Sequence, residues 1–214
     1  MVGRIVNVVA YYSQLEHSGK PLNEPEQRKA TKEEVLAIFK EWEPEVLKLL
    51  NCIETPLCWA IQDLNPLESY IGSRTLILGD AAHAMAPHLG AGAGIALEDA
   101  YILGAIISAT DCIPEDVPQI LTTYDSIRRP FGNRSLLAAR KQGMYYEMNT
   151  SEFQDIKYQG QTLTEGQVST LVESIAANWS WATTPVDSDL SRAIEMATGA
   201  MHGRSGQGMN VSSV

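Results

Sequence analysis

Residues 74–105 read RTLILGDAAHAMAPHLGAGAGIALEDAYILGA. The stretch opens on an apolar run, Thr75-Leu76-Ile77-Leu78, that predicts a buried strand ending at Gly79-Asp80. A loop holding His83, Pro87 and His88 follows, and the small-residue segment Gly90-Ala91-Gly92-Ala93-Gly94 then opens an apolar helix over about residues 95–108. This order of strand, loop, glycine-rich turn and helix aims backbone N–H groups and a positive helix end at an electron-rich ligand. Asp80, at the end of the strand, can accept hydrogen bonds from ligand hydroxyls. Glycines at 90, 92 and 94 let the backbone approach a flat ring without a Cβ in the way. Pro87 fixes its own φ and stiffens the loop.

The same residues carry a longer pattern. G-D-A-A-H-x-x-x-P-x-x-G-x-G-x-x-x-x-x-x-D-A is met by Gly79, Asp80, Ala81, Ala82, His83, Pro87, Gly90, Gly92, Asp99 and Ala100. It resembles the second flavin-binding motif of the FAD-dependent aromatic hydroxylases, with the salicylate-hydroxylase-like monooxygenases as the nearest group. The resemblance implies that Gly79 and Asp80 meet the ribityl chain of FAD. It implies that the backbone of Gly90, Ala91, Gly92 and Ala93 faces the pyrimidine edge of the flavin, with Pro87 near the ring. It further implies NAD(P)H as co-substrate, O2 as oxidant and an aromatic small molecule as substrate; the catalytic residues stay unassigned.

Two other readings stand beside this one. The glycines could serve close packing of a helix on a strand. Asp80, His83 and His88 could be metal ligands, but Pro87 interrupts any helix that would pair them, and no metal site is expected.

The remaining chain is consistent with a soluble globular class. Its 214 residues suffice for one or two domains, and 44 % of them are hydrophobic. A net charge of −10 argues against nucleic acid or an anionic membrane surface as partner. The apolar runs read as too short to span a bilayer. Cys52, Cys58 and Cys112 have no metal-ligand spacing, so a reduced cytoplasmic protein is expected. The sequons at Asn133, Asn149, Asn178 and Asn210 are read as chance.

Residues 4–12 alternate as a strand, residues 16–30 read as a loop, and Thr31 to Glu34 reads as a capping box. Residues 57–64 predict a strand on which Trp59 belongs to a core. Residues 119–128 and 131–148 read as two helices parted at Arg128-Arg129-Pro130, with Arg128 and Arg129 at the surface or salt-bridged. Residues 164–179 and 188–198 are further helices.

The expected fold class is α/β, as a fragment: the end of a Rossmann-type FAD-binding domain, part of a substrate-domain sheet, and C-terminal helices. The expected division is 1–64 (partial substrate-binding domain), 65–148 (FAD-binding part) and 149–214 (helical region with a frayed tail). No G-x-G-x-x-G turn follows a strand anywhere in the sequence, and the glycines at 203, 206 and 208 cannot serve. The expectation is therefore a monooxygenase fragment, working with an N-terminal half or as a homodimer, or else a non-catalytic binding module of the same descent.

Overall fold

The computed structural model describes residues 6–153, 162–183 and 185–205, with only the backbone of Leu15 and of residues 201–205. The described residues form two compact units, residues 6–61 and residues 62–153 with 162–183 and 185–205.

The first unit holds a two-stranded antiparallel ribbon, β1 (Gln27–Lys29) and β2 (Leu57–Trp59), with Arg28 opposite Cys58. Bonds from Ala30 N–H to the Pro56 carbonyl and from Ala60 N–H to the Glu26 carbonyl extend the pairing at both ends. Between the strands lie α1 (Lys32–Ile38) and α2 (Pro44–Asn51). Thr31 caps α1, its hydroxyl accepting from Glu34 N–H at 3.1 Å. The capping box is only half made, because the Glu34 carboxylate turns to the Arg28 guanidinium instead. The core of this unit is small, with Phe39 and Leu50 its buried apolar side chains.

Four expectations change here. The described part of residues 4–12 forms no strand, and Val6 and Val9 stand exposed; alternation alone does not make a strand without a partner to accept its backbone bonds. Met1 to Ile5 lie outside the described residues. The loop over residues 16–30 contains β1. The strand over 57–64 is only three residues long, and Trp59 is 59 % exposed rather than core.

The second unit is helical. Its elements are α3 (Asp80–His83), α4 (Gly92–Ala109), α5 (Val117–Tyr146), α6 (Glu165–Asn178) and α7 (Val186–Ser205). The strand read over residues 75–78 reduces to one antiparallel bridge, Ile71 to Leu76, inside a tight turn closed by Gly72 N–H to Thr75 O and Ile77 N–H to Tyr70 O, each 2.9 Å. An apolar run marks burial but supplies no neighbouring strand to pair with.

Residues 117–146 form one helix through Pro130, not two. Proline removes one helical hydrogen bond. Tertiary ties on both sides compensate: Arg128 bonds Asp99, and Asn133 donates to Leu67 O at 2.9 Å and accepts from the Tyr70 hydroxyl at 3.0 Å. Buried residues then run along the whole helix, from Ile120 to Tyr145.

Helix α4 buries the stripe Ile95, Asp99, Ile102 and Ile106, spaced by four, three and four. Ile102 and Ile106 pack with Ile120, Tyr124 and Ile127 of α5 and Ala193 and Ala197 of α7. Ile95 packs instead with Leu89, Ala91 and Ala139. Each fully buried isoleucine contributes roughly 2 kcal/mol. At 18 residues α4 is long and apolar enough to cross a bilayer, contrary to the expectation that no run would reach that length. Here it packs between α5 and α7 and carries an ion-paired aspartate in its middle.

Candidate functional site

The site forms where α3 and the N-terminus of α4 meet. Gly79 precedes α3 with φ 58° and ψ −141°, a conformation that excludes most side chains. Asp80 begins α3 and is exposed, as is Pro87, which starts a 3₁₀ turn over Pro87–Leu89. That turn ends on Gly90 at φ 57°, again a glycine position. Ala91 is buried and stands at the N-cap of α4 with no side-chain bond to the helix. The first helical bond of α4 runs from Ile95 N–H to Ala91 O at 3.0 Å. The N–H groups of Gly92, Ala93 and Gly94 therefore precede the helical ladder and carry the positive end of an 18-residue helix.

Asp80 meets this end directly. A Cβ built on Gly92 would lie 3.8 Å from Asp80 Oδ1 and 3.9 Å from Met85 Cγ. At Gly90 and Gly94 an added Cβ would meet nothing within 4 Å. The packing explanation for the glycine run fails on these numbers, because no neighbour crowds positions 90, 92 or 94. Gly90 has its backbone angle to explain it; Gly92 has only neighbours at ordinary contact distance, and Gly94 has neither angle nor neighbour. What remains is an open cradle, with a carboxylate on one side and helix N–H groups on the other. Such a surface suits a flat ligand that bears hydroxyls near Asp80 and electron density near the helix end.

The two histidines turn away from it. His83, fully buried, places Nε2 2.6 Å from Asp99 Oδ2. His88 lies edge-on to Tyr146, and its ring occupies the space where a Gly143 side chain would stand. Among the described residues, no group of three or more His, Cys, Asp or Glu is arranged so that it could hold a metal ion.

Behind the cradle lies a buried ionic cluster that sequence reasoning missed. Asp99 accepts from Gly79 N–H at 3.3 Å and from Arg128 Nε at 2.7 Å. Arg128, 1 % exposed, also donates to Glu98 at 3.1 Å and to the Ile95 carbonyl at 3.4 Å, and its Nη1 stands 3.8 Å from Asp189. The Arg128 guanidinium lies over the Phe131 ring at 4.5 Å. Burial pushes the Asp99 carboxyl up, but the hydrogen bonds from His83 and Arg128 and the Arg128 charge outweigh it and hold the group below its usual range. An ionised Asp99 can only accept, so the proton shared with His83 sits on Nε2. Arg128 is thus salt-bridged but not at the surface, and Arg129 pairs with Asp125 at 2.9 Å. The available signal was a charged residue on an apolar helical stripe.

Nearby, Tyr70 is held by Asn133 and by Asp125, whose carboxylate accepts from Tyr70 N–H at 2.8 Å; burial pushes the Tyr70 hydroxyl up to about 12. Asn133 and Asn178 are both hydrogen-bonded within the fold, to the Leu67 and Ala138 carbonyls. The three cysteines are free. A separate hollow of about 590 Å³ lies among Glu98, Arg128, Phe131, Trp181 and Asp189, and none of the cradle residues lines it.

Comparison with known proteins places the chain in a family. Residues 10–139 match the family described as FAD binding domain. A salicylate hydroxylase of Pseudomonas putida is 39 % identical over 148 residues, covering 68 % of this chain and 34 % of that protein. A 3-hydroxybenzoate 6-hydroxylase of Klebsiella oxytoca is 32 % identical over 140 residues, covering 64 % of this chain and 34 % of its own length. The solved structure described as a salicylate hydroxylase substrate complex superposes with a TM-score of 0.70 at 32 % identity, over 81 % of this chain and 40 % of that one. The chain thus spans about a third of the length of these curated relatives.

Proposed function

We propose, because this chain belongs to the FAD-binding domain family, that it is the ribityl- and ring-holding part of an FAD-dependent aromatic monooxygenase. The observation that carries the reading is the cradle: Gly92 and Gly94 are small where nothing in the fold requires it, beside an exposed Asp80 and an uncapped helix start. Asp80 would accept hydrogen bonds from the ribityl hydroxyls, next to Gly79. The backbone of Gly90, Ala91, Gly92 and Ala93 would face the pyrimidine edge of the ring, where helix N–H groups stabilise negative charge. Pro87, exposed and rigid, would border the ring. FAD, when bound, supplies the redox chemistry that takes electrons from NAD(P)H and activates O2. The adenosine half of the cofactor would rest on a βαβ unit with a G-x-G-x-x-G turn, a pattern these 214 residues do not contain, in the same polypeptide or in a partner chain, the partner being a separate N-terminal half or a second copy.

Relatives named for salicylate and 3-hydroxybenzoate support a small aromatic acid as substrate. Free cysteines support a reducing, cytoplasmic setting.

An FAD titration of the 214-residue chain, read by flavin absorbance and fluorescence, tests the proposal. The expected result is a saturable, perturbed flavin spectrum. Asp80→Ala should weaken binding about tenfold, the loss of hydrogen bonds to a charged acceptor. A free-flavin spectrum at saturating concentrations, or equal affinity in the variant, would overturn the assignment.

A further inference from the structure

Asp80 begins a helix of four residues, too short to hold its own shape. One carboxylate from another element ties it at both ends. Asp99 Oδ2 accepts from Gly79 N–H, immediately before Asp80, and from His83 Nε2, at the end of the same turn. Both ends of the turn are therefore tied to one oxygen. The other oxygen, Oδ1, is tied to α5 through Arg128 Nε at 2.7 Å. Arg128 is fixed in turn by the Ile95 carbonyl and Glu98 of α4.

We propose that Asp99 is the positioning residue of the cradle, gripping Gly79 and His83 so that the Asp80 carboxylate is held over the Gly92 end of α4. The proposal rests on the reading of Asp80 as a cofactor ligand. Burying a carboxylate and a guanidinium together is costly, and apolar side chains of the same volume would hold α4 against α5 at least as well. Apolar side chains could not grip the Gly79 amide. The position of Asp99 on α4 follows from the same requirement: it interrupts the stripe of Ile95, Ile102 and Ile106 at the step that faces Gly79.

Asp99→Asn separates the two roles of this residue. The asparagine oxygen has to face Arg128 Nε, because an amide N–H opposite a guanidinium N–H would be repelled. The amide nitrogen then faces Gly79 N–H, donor against donor. The α4–α5 tie survives and the Gly79 tie is lost; His83 keeps a bond only by moving its proton to Nδ1, which is unpartnered in the fold, and accepting at Nε2. Ile106→Val serves as the control, since it loosens the same helix without touching Gly79, His83 or Arg128.

Two measurements on the 214-residue chain test the proposal. In Asp99→Asn, amide exchange at Ala82 and His83, whose N–H groups bond the Gly79 carbonyl, should be about tenfold faster, while exchange in the middle of α5 stays as in Ile106→Val. FAD affinity should fall about tenfold in Asp99→Asn and stay unchanged in Ile106→Val. If Asp99→Asn does not fold, His83→Leu removes one of the two ties and should speed exchange at the same amides. Exchange at residues 82 and 83 no faster than in the control would overturn the proposal, whatever FAD does. Absence of FAD binding by the unaltered chain would instead overturn the cofactor reading, and the exchange result would still decide what Asp99 holds.

Discussion

At the scale of single residues, charge placement explains most of the site. Asp99 is fully buried, and its carboxyl is held below its ordinary value by His83 and Arg128 against the opposing effect of burial. The consequence for pH has a definite sign. A carboxylate with a depressed folded-state pKa adds stability that is present above the unfolded value of about 3.9 and is lost as pH falls through the folded value. The melting temperature of the unaltered chain should therefore fall more steeply below about pH 4 than that of Asp99→Asn, the two curves converging at the acid end. Parallel curves across that range would remove Asp99 from the linkage. Asp80, by contrast, is exposed, and the role proposed for it is to bind rather than to stabilise.

At the scale of elements, the segment over Leu67 to His83 is seated on α5 by close contacts. A Cβ on Gly132 would lie 2.7 Å from the Tyr70 hydroxyl oxygen and 2.9 Å from His83 Cδ2. Neither side chain can retreat, because Tyr70 is bonded to Asn133 and His83 to Asp99, both within the core. Gly132→Ala should destabilise by about 1–3 kcal/mol through overpacking, which thermal unfolding would read as a drop of several degrees. An unchanged midpoint would mean that the segment is loosely seated. These contacts also show how much of the elements was legible beforehand. Helices α4, α6 and α7 follow from apolar spacing and end signals that act over a few residues. The joining of two expected helices into α5 does not, because the bonds that hold Pro130 in line come from Asp99 and Leu67, far off in sequence. The lost strand at residues 75–78 failed for the same kind of reason: pairing depends on a neighbour, and sequence periodicity does not supply one.

At the scale of the whole molecule, stability is distributed unevenly between the two units. Residues 6–61 bury the apolar side chains Phe39 and Leu50, and leave Trp42, Leu57, Trp59 and Ile61 exposed. The second unit has two apolar clusters joined by the Asp99–Arg128 pair. Amides of β1 and β2 should therefore exchange on the order of a hundredfold faster than those in the middle of α5. Hydrogen exchange mapped by mass spectrometry would check this, and equal protection in both units would contradict the difference in their cores.

The sequence by itself determined the family and the candidate cradle. The spacing of Gly79, Asp80, Pro87, Gly90 and Gly92 is local, and backbone freedom, a fixed proline and a helix start act within a few residues. Only the tertiary structure decided which of the motif's polar residues stand exposed and which face inward. A linear reading offers Asp99 on an apolar stripe as a signal of burial, but it does not show that His83 and Arg128 are its partners. Their burial, pairing and hold on the turn before Asp80 arise from residues up to 49 positions apart brought together by packing. The uncrowded surroundings of Gly92 and the open space at Gly94 were likewise three-dimensional facts, since the same glycines would read identically had a neighbouring helix filled the space.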